Sequence, residues 1–142
     1  MAFLLLILSG ILTIDIPVGW QTDFELAKAL AHKENKTILM VFSGSDWCAP
    51  CKKLKKEVLT KELFSDYSKE HLVLLYLDFP SKRKNRLSKE QTMHNENLAA
   101  LYNQSGRFPM IVLLDYNGKV VKEIKYEGQG VEEFVETISK VI

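Results

Sequence analysis

The sequence is poor in cysteine and has almost no excess charge of either sign. Its 142 residues include two cysteines, Cys48 and Cys51, whereas a small secreted disulfide scaffold carries several scattered pairs, so that class is excluded. Lys and Arg number 19 against 18 Asp and Glu, and the formal net charge of +1 gives no global reason to expect nucleic acid as a partner. A chain of this length can bury one core without disulfide staples, so both cysteines are available for chemistry.

No long apolar run is present at the N-terminus either. The apolar stretch over residues 1–14 is shorter than the roughly 18 to 20 residues of a membrane-spanning helix. It resembles the hydrophobic region of an export signal, but no Lys or Arg precedes it and no clear A-x-A cleavage site follows it. We interpret residues 1–16 as a signal or membrane-proximal segment of an exported protein, with a membrane anchor or a first element of the fold as alternatives. Residues 17–142 are predicted to form the folded domain.

The two cysteines form a C-x-x-C motif within Trp47-Cys48-Ala49-Pro50-Cys51-Lys52. A short apolar run over residues 38–42 predicts a buried strand before the motif, and apolar spacing after it predicts a helix that begins at the cysteines. Two sulfurs three positions apart at a helix start can close a small disulfide ring and reopen it. The motif therefore predicts thiol-disulfide chemistry.

The rest of the chain alternates predicted helices and strands. Capping boxes at residues 22–25 and 88–91 predict two helix starts, Thr60 is a candidate cap of another helix, and Asn117-Gly118 predicts a hairpin turn. In chain order we predict a helix over 22–35, a strand over 38–42, helices after Cys48 and Thr60, a strand over 71–77, a helix over 88–102, strands over 110–114 and 120–126, and a helix over 131–142. This order predicts an α/β fold in which a central mixed sheet has helices on both faces.

The motif, the later Phe108-Pro109 pair and the hairpin that follows it resemble a thioredoxin-fold protein over residues 20–142. Residues 42–48 resemble exported bacterial thioredoxin-like domains more than small cytosolic thioredoxins. The resemblance implies a thiol-disulfide oxidoreductase that needs no cofactor or metal and acts on proteins with disulfides or thiols. It also implies an upstream redox partner, such as a membrane thiol reductant, and we expect a monomer.

The resemblance also implies roles for individual residues. Cys48 would be the exposed attacking cysteine, and Cys51 the shielded cysteine that resolves the mixed disulfide. Pro109 would be a cis-proline that faces the cysteines, with a trans proline at the start of an edge strand as the alternative. The backbone of Phe108 would pair with a substrate strand.

Four further residues of the motif are expected to shape the site. Ala49 and Pro50 set the turn between the sulfurs and influence the redox poise. Lys52 adds positive charge near the helix N-terminus, which itself favours a negative sulfur, whereas the lysines after it are expected on a solvated helix face. Trp47 could shield the disulfide and contact substrates, or it could be a half-buried aromatic residue. The basic loop over residues 82–86 is interpreted as a mobile surface loop, with the docking of an acidic partner as the alternative.

One position departs from the family pattern. Small thioredoxins carry a buried aspartate six positions before the first cysteine, where this chain has Phe42. The proton acceptor for Cys51 is therefore open, with Asp46, Asp78 and water as candidates.

The sequence thus predicts exchange of the Cys48–Cys51 dithiol or disulfide with client proteins outside the cytoplasm. A proline between the cysteines, preceded by a small residue, resembles reducing thioredoxins, so we expect a reductase or isomerase rather than an oxidase. The alternative is a copper(I) carrier that uses the two thiolates, because His32, His71 and His94 are predicted far from the motif and leave zinc too few ligands. A domain with an inert disulfide is a third possibility.

Overall fold

Alternating helices and strands make up the part of the chain that the computed structural model describes, which is residue 17 and residues 19–142. The elements are α1 (Phe24–Glu34), β1 (Thr37–Ser43), α2 (Ala49–Leu54), a π-helical turn (Lys55–Leu59), α3 (Glu62–His71), β2 (Leu72–Asp78), a 3₁₀ turn (Arg83–Asn85), α4 (Lys89–Tyr102), β3 (Met110–Leu114), β4 (Val120–Ile124) and α5 (Val131–Ser139). The predicted export segment, residues 1–16, lies outside the described residues. No helix within the described part is long and apolar enough to cross a membrane.

The four strands form one mixed sheet in the order β2-β1-β3-β4. β1 pairs parallel with β2 and antiparallel with β3, and β3 and β4 form an antiparallel hairpin, which confirms the predicted architecture. The hairpin turn is also confirmed, and Gly118 adopts the positive φ of +85° that this turn requires. At the β2 edge, Gln21 adds a single parallel bridge to Leu75.

The side chains of β1 alternate between two hydrophobic clusters, one on each face of the sheet. Leu39 and Val41 pack in a cluster with residues of α2, the π-helical turn, α3 and α5: Leu54, Val58, Leu59, Phe64, Phe134 and Ile138. Ile38, Met40 and Phe42 pack in a second cluster with residues of α1 and α4: Phe24, Ala27, Ala31 and Leu98. Helices therefore cover both faces, as predicted, and the strand that leads to the cysteines is fixed from both sides.

Two predicted helix starts were wrong. The N-cap of α1 is Asp23, whose carboxylate accepts the N–H of Leu26 at 2.7 Å, so the helix begins one residue later than the capping box placed it. Thr60 ends the π-helical turn by donating its hydroxyl to the carbonyl of Lys55 at 3.0 Å, and α3 has no side-chain cap. The hydroxyl of a threonine can serve either end of a helix, and the sequence alone does not distinguish the two uses.

Three element boundaries also differ from the prediction. His71 ends α3 and does not begin β2, while β4 ends at Ile124 and α5 at Ser139. The predicted strand over 120–126 and helix over 131–142 were therefore too long. The Ser88 cap of α4 is confirmed, because its hydroxyl accepts the N–H of Gln91 at 3.1 Å.

Candidate active site

The two cysteines lie where β1 gives way to α2. Cys48 is the N-cap residue of α2, and its Sγ accepts the N–H of Cys51 at 3.3 Å. The two sulfurs form a disulfide, and their Cα atoms are 5.2 Å apart. Because the first N–H groups of a helix lack intrahelical partners, this position stabilises a negative sulfur on Cys48 once the disulfide is open.

Both cysteines are buried in this disulfide form, with exposed fractions of 4% for Cys48 and 2% for Cys51. The prediction that Cys48 is exposed is therefore wrong for the oxidised protein. The reason is its N-cap role, since its side chain folds back over the first turn of α2 instead of pointing to solvent. Ala49 and Pro50, between the sulfurs, are exposed and form the outer surface of this turn.

The peptide bond between Phe108 and Pro109 is cis, as the resemblance predicted, so the trans alternative is excluded. Pro109 directly precedes β3, and the first residue of β3, Met110, pairs with Phe42 of β1. The loop to Cys48 leaves β1 one residue further on. The cis-proline and the disulfide therefore lie at the same end of the sheet.

Three aromatic side chains, Trp47, Phe79 and Phe108, form what we call the aromatic rim. The Phe108 ring lies edge to face against the other two, with centroid distances of 5.4 Å to Trp47 and 5.3 Å to Phe79. Trp47 donates its Nε1–H to the carbonyl of Phe79 at 2.7 Å, yet 48% of the residue remains exposed. Phe79 was not predicted as a site residue, because a phenylalanine directly after a buried strand has the same sequence pattern as an ordinary core residue.

Gly44 sits between the rim and the buried sulfur. A Cβ atom at this position would overlap the indole ring of Trp47, so the close packing of the ring requires glycine. On its other side, the N–H of Gly44 donates to Sγ of Cys51 at 3.5 Å. One backbone position thus supports both the exposed tryptophan and the buried cysteine.

A second feature, which we call the polar cavity, adjoins Cys51 and has a volume of about 330 Å³. Its lining consists of hydroxyl-bearing, basic and sulfur-bearing side chains: Ser43, Ser45, Cys51, Lys52, Lys55, Lys56, Thr60 and Tyr76. The hydroxyl of Tyr76 donates to Oγ of Ser43 at 2.8 Å, and both residues are buried. Lys55 and Lys56 line the same cavity as Lys52, because one turn of helix brings them to it.

Phe42 stands where small thioredoxins carry a buried aspartate, and the structure shows where its side chain packs. Phe42 is fully buried and packs in the cluster with α1 and α4, on the face of the sheet opposite to Tyr76. The next residue, Ser43, points the other way and lines the polar cavity. The polar group that β1 provides near Cys51 is therefore a serine hydroxyl.

The two carboxylates proposed as proton acceptors are each held by three hydrogen-bond donors, and neither lines the polar cavity. Asp78 accepts the N–H and hydroxyl of Ser45, at 3.0 and 2.7 Å, and the N–H of Phe79 at 2.9 Å. Asp46 accepts the amide of the Asn85 side chain and the backbone N–H groups of Ser81 and Lys82, each at 2.9 Å.

The hydrogen bonds of Asp46 have an electrostatic consequence. They lower the pKa of its carboxyl from 3.8 to about 2, with the bond from Asn85 as the largest cause, so this side chain is anionic at neutral pH. They also tie the basic loop, interpreted above as a mobile segment, to the residue two positions before Cys48. The loop is thus anchored beside the disulfide.

Among residues 19–142, no group of three or more His, Cys, Asp or Glu side chains is arranged to hold a metal ion. His94 accepts the N–H of Phe24 at 3.1 Å, so its ring is engaged at the start of α1. His32 and His71 lie against the rings of Tyr116 and Tyr67. The three histidines are thus engaged with other residues and do not join Cys48 and Cys51, the thiolates of the alternative copper(I) site.

A C-x-x-C disulfide at a strand-to-helix junction, at the same end of the sheet as a cis-proline, defines a class of redox proteins built on the thioredoxin fold. The family model of the thioredoxin-like domain matches residues 24–141. The chain belongs to this thioredoxin-like family, and it is a thiol-disulfide oxidoreductase.

Known proteins with similar sequences and structures agree with this assignment. The chain is 33% identical over 118 residues to the disulfide bond reductase DsbH of Chlamydia pneumoniae, covering 82% of this chain and 69% of DsbH. It is 26% identical over 108 residues to the thioredoxin-related protein DsbJ of the same organism, covering 75% of this chain but only 30% of DsbJ. A solved DsbH oxidoreductase superposes with a TM-score of 0.77 at 28% identity, covering 89% of this chain and 88% of that one. A disulphide isomerase from Xylella fastidiosa Temecula1, with a TM-score of 0.59, 21% identity and coverage of 81% and 87%, supports the fold alone.

Proposed function

We propose that this protein reduces or isomerises the disulfides of client proteins outside the cytoplasm, with Cys48 as the attacking cysteine and Cys51 as the resolving cysteine. The observation that carries the proposal is the Cys48–Cys51 disulfide at the N-terminus of α2. There Cys48 occupies the N-cap and Cys51 lies one turn inside the helix, next to the polar cavity.

The reaction follows the usual steps of thiol-disulfide exchange. The thiolate of reduced Cys48 attacks one sulfur of a client disulfide, forming a mixed disulfide and releasing the first client thiolate. The thiolate of Cys51 then attacks Sγ of Cys48, which closes the Cys48–Cys51 bond and releases the second client thiolate. Two electrons pass to the client, whose thiolates take up, through solvent, the protons that the two cysteines lost.

The preference for reduction or isomerisation rests on two observations. The residues between the cysteines are Ala49 and Pro50, which resemble the pair found in reducing thioredoxins. The 33% identical relative from Chlamydia pneumoniae is named a disulfide bond reductase. Each turnover as a reductase requires an external dithiol to reopen the Cys48–Cys51 bond, and a membrane thiol reductant is the class of donor that we expect.

Client binding is assigned to the residues around the disulfide. Trp47 presents an exposed ring next to Cys48, and large aromatic surfaces of this kind contribute strongly to polypeptide contacts. Phe108 and Pro109 lie at the start of β3, where the backbone of Phe108 pairs with an extended client segment. Ala49, Pro50 and Lys52 shape the turn and the charge around the sulfurs.

The cellular setting belongs to the same proposal. Residues 1–16 act as an export signal or membrane-proximal segment, and residues 17–142 form a domain that works as a monomer in the periplasm or another extracytoplasmic space. Fractionation of cells that produce the full chain, with and without residues 1–16, tests this assignment. Retention of the full chain in the cytoplasm would contradict it.

The redox potential of the Cys48–Cys51 pair tests the direction of the reaction. Equilibration with glutathione buffers should give a value near that of thioredoxin, about −270 mV. A value near that of the strong oxidant DsbA, about −120 mV, would show that the protein is an oxidase. Reduction of insulin disulfides by the dithiol form provides an independent measurement.

A further inference from the structure

Positive charge is concentrated near the disulfide of this almost neutral chain. Nine of the 19 Lys and Arg residues lie in two stretches, residues 52–56 and 82–89, and neither stretch contains an Asp or Glu. We call them the two basic segments. Their composition contrasts with the balance of the whole chain, where 18 acidic residues offset the basic ones.

The fold places the two basic segments on either side of the disulfide. Residues 52–56 belong to α2 and the π-helical turn, and three of their lysines line the polar cavity together with Cys51. Residues 82–89 follow Phe79 of the aromatic rim, and Lys82 and Asn85 fix them to Asp46 by one hydrogen bond each, with a third from the preceding residue, Ser81. Cations that are distant in sequence are thereby brought to one end of the molecule.

The cations of the second basic segment are exposed to solvent, and one of them, Lys82, has an acidic side chain, that of Asp46, as a neighbour that lowers its electrostatic cost. Lys82, Arg83, Lys84, Arg86 and Lys89 are all exposed. No salt bridge joins Arg83, Lys84, Arg86 or Lys89 to an acidic side chain of residues 19–142, whereas Arg107 pairs with Glu123 at 2.7 Å. Holding like charges together costs electrostatic energy, and the hydrogen bonds to Asp46 keep this segment in place despite that cost.

We propose that the two basic segments form a docking surface for client polypeptides that carry acidic residues near the reacting disulfide. This inference rests on the proposed function and names its substrate class. A positive surface on both sides of the sulfurs attracts a negative client and speeds its encounter with Cys48, while the aromatic rim between them contacts its apolar side chains. A polypeptide suits this surface better than a lipid bilayer, because the disulfide at its centre must meet a client sulfur.

The test uses three short peptides, each with one internal disulfide flanked by Glu, by Gln or by Lys. Second-order rate constants for their reduction by the full-length dithiol protein are measured at an ionic strength of about 10 mM, where the screening length is about 30 Å, and again at about 150 mM, where it is about 8 Å. We expect the Glu peptide to react about tenfold faster than the Lys peptide at low ionic strength. The ratio should fall towards one at the higher ionic strength.

A charge-reversal variant and a matched control locate the effect. The variant Arg83→Glu, Lys84→Glu, Arg86→Glu should abolish or invert the preference for the Glu peptide. The control Lys33→Glu, Lys69→Glu, Lys119→Glu changes the net charge equally at three exposed positions, at the opposite end of the sheet from the disulfide, and should keep the preference. Circular dichroism before each measurement confirms that both variants are folded.

The outcomes separate this inference from the proposed function. Equal rates for the three peptides would contradict the docking surface but not the reductase activity. The same holds if the control loses the preference as fully as the variant at residues 83, 84 and 86. Failure of the wild-type dithiol to reduce any peptide would overturn both. The last measurement is binding to anionic lipid vesicles. If the wild type binds them, the variant at residues 83, 84 and 86 does not, and the three peptides react at equal rates, the surface binds membranes and the proposal is wrong.

Discussion

The two sides of the disulfide differ in almost every physical property. On one side the aromatic rim is apolar, partly exposed and packed on the face of the sheet that carries α1 and α4. On the other side the polar cavity, lined by hydroxyls and lysines, lies against α2 and the strand ends. The Cys48–Cys51 disulfide thus lies between the aromatic rim, which suits contact with a polypeptide, and the polar cavity, whose side chains can interact with charged groups. The difference indicates that client recognition and the chemistry of the resolving thiol are separately adjustable.

Substituting each cysteine in turn should separate the two sides most strongly. Cys48→Ser removes the attacking sulfur, so reduction of insulin disulfides should fall to background. Cys51→Ser keeps the attack but cannot resolve it, so mixed disulfides with clients should accumulate and be visible on non-reducing gels. If both variants retained equal turnover, the assignment of roles to the two sulfurs would be wrong.

Gly44→Ala should disturb both sides at once. The added Cβ overlaps the indole of Trp47, so the ring must leave its place in the rim and the loop that contacts Cys51 must shift. A displacement of about 1 Å in a reacting group can cost about 10²-fold in rate, and we expect kcat/KM for a protein client to fall to that extent. The control is Gly130→Ala, where a Cβ atom would be no closer than 3.5 Å to the contacts around it. A Gly44→Ala protein with wild-type kcat/KM would show that Trp47 does not depend on this packing.

Phe79→Leu should weaken the aromatic side only. It removes an edge-to-face contact worth about 0.5–1.5 kcal/mol while keeping the apolar volume and the backbone carbonyl that holds Trp47. KM for a protein client should rise about two- to tenfold, whereas the rate with a small disulfide such as hydroxyethyl disulfide should not change. An equal loss with both substrates would mean that Phe79 acts on the sulfurs and not on the client.

Tyr76→Phe should affect the polar side only. The variant deprives Ser43 of a hydrogen-bond donor and makes the cavity beside Cys51 less polar, at a cost of about 1 kcal/mol in the free energy of unfolding. A less polar cavity disfavours the charged form of the Cys51 sulfur, so the rate of mixed-disulfide resolution at neutral pH should fall while KM stays constant. Rapid-mixing measurements give this rate. Tyr116→Phe, at an exposed position in the hairpin, is the matched control.

The smallest effect is expected at Asp46, which joins the two sides. Its folded-state pKa of about 2 lies below the ordinary 3.8, so its contribution to loop order is complete above about pH 4 and is lost as the pH falls towards 2. Asp46→Asn should loosen the loop at neutral pH, as acid does in the wild type. The amide hydrogens of Ser81 and Lys82 should then exchange faster. Asp66→Asn, on the surface of α3, should leave those amides protected. Unchanged exchange in Asp46→Asn would show that other contacts hold the loop.

The sequence was sufficient for the fold because its signals are local. The apolar run of β1, the cap at Ser88 and the Asn117-Gly118 turn each specify an element through its own residues, and the structure confirms them. The boundaries at Asp23 and Thr60 were missed because several polar residues compete for one cap and tertiary packing decides between them.

Only those residues of the site that belong to a local sequence motif could be predicted. The C-x-x-C motif and Pro109 carry their own signals, whereas Phe79 and Tyr76 reach the disulfide through the pairing of β2 with β1, which places Asp78 beside Ser43. The anchoring of the basic loop was also hidden, because the three donors to Asp46 follow it by 35 to 39 positions. Such contacts follow from topology, and topology is not visible in a local pattern.

The two edges of the sheet also bear on how the protein behaves at high concentration. At the β2 edge, Gln21 donates its N–H to the carbonyl of Leu74 at 2.8 Å and accepts the N–H of Tyr76 at 2.9 Å, so these two groups at the middle of the strand are already used. At the β4 edge, a register shift between Leu113 and Leu114 breaks the regular ladder, and the strand carries the charged residues Lys122 and Glu123. Both devices disfavour strand addition from a second copy, and β-aggregation is therefore discouraged at either margin of the domain.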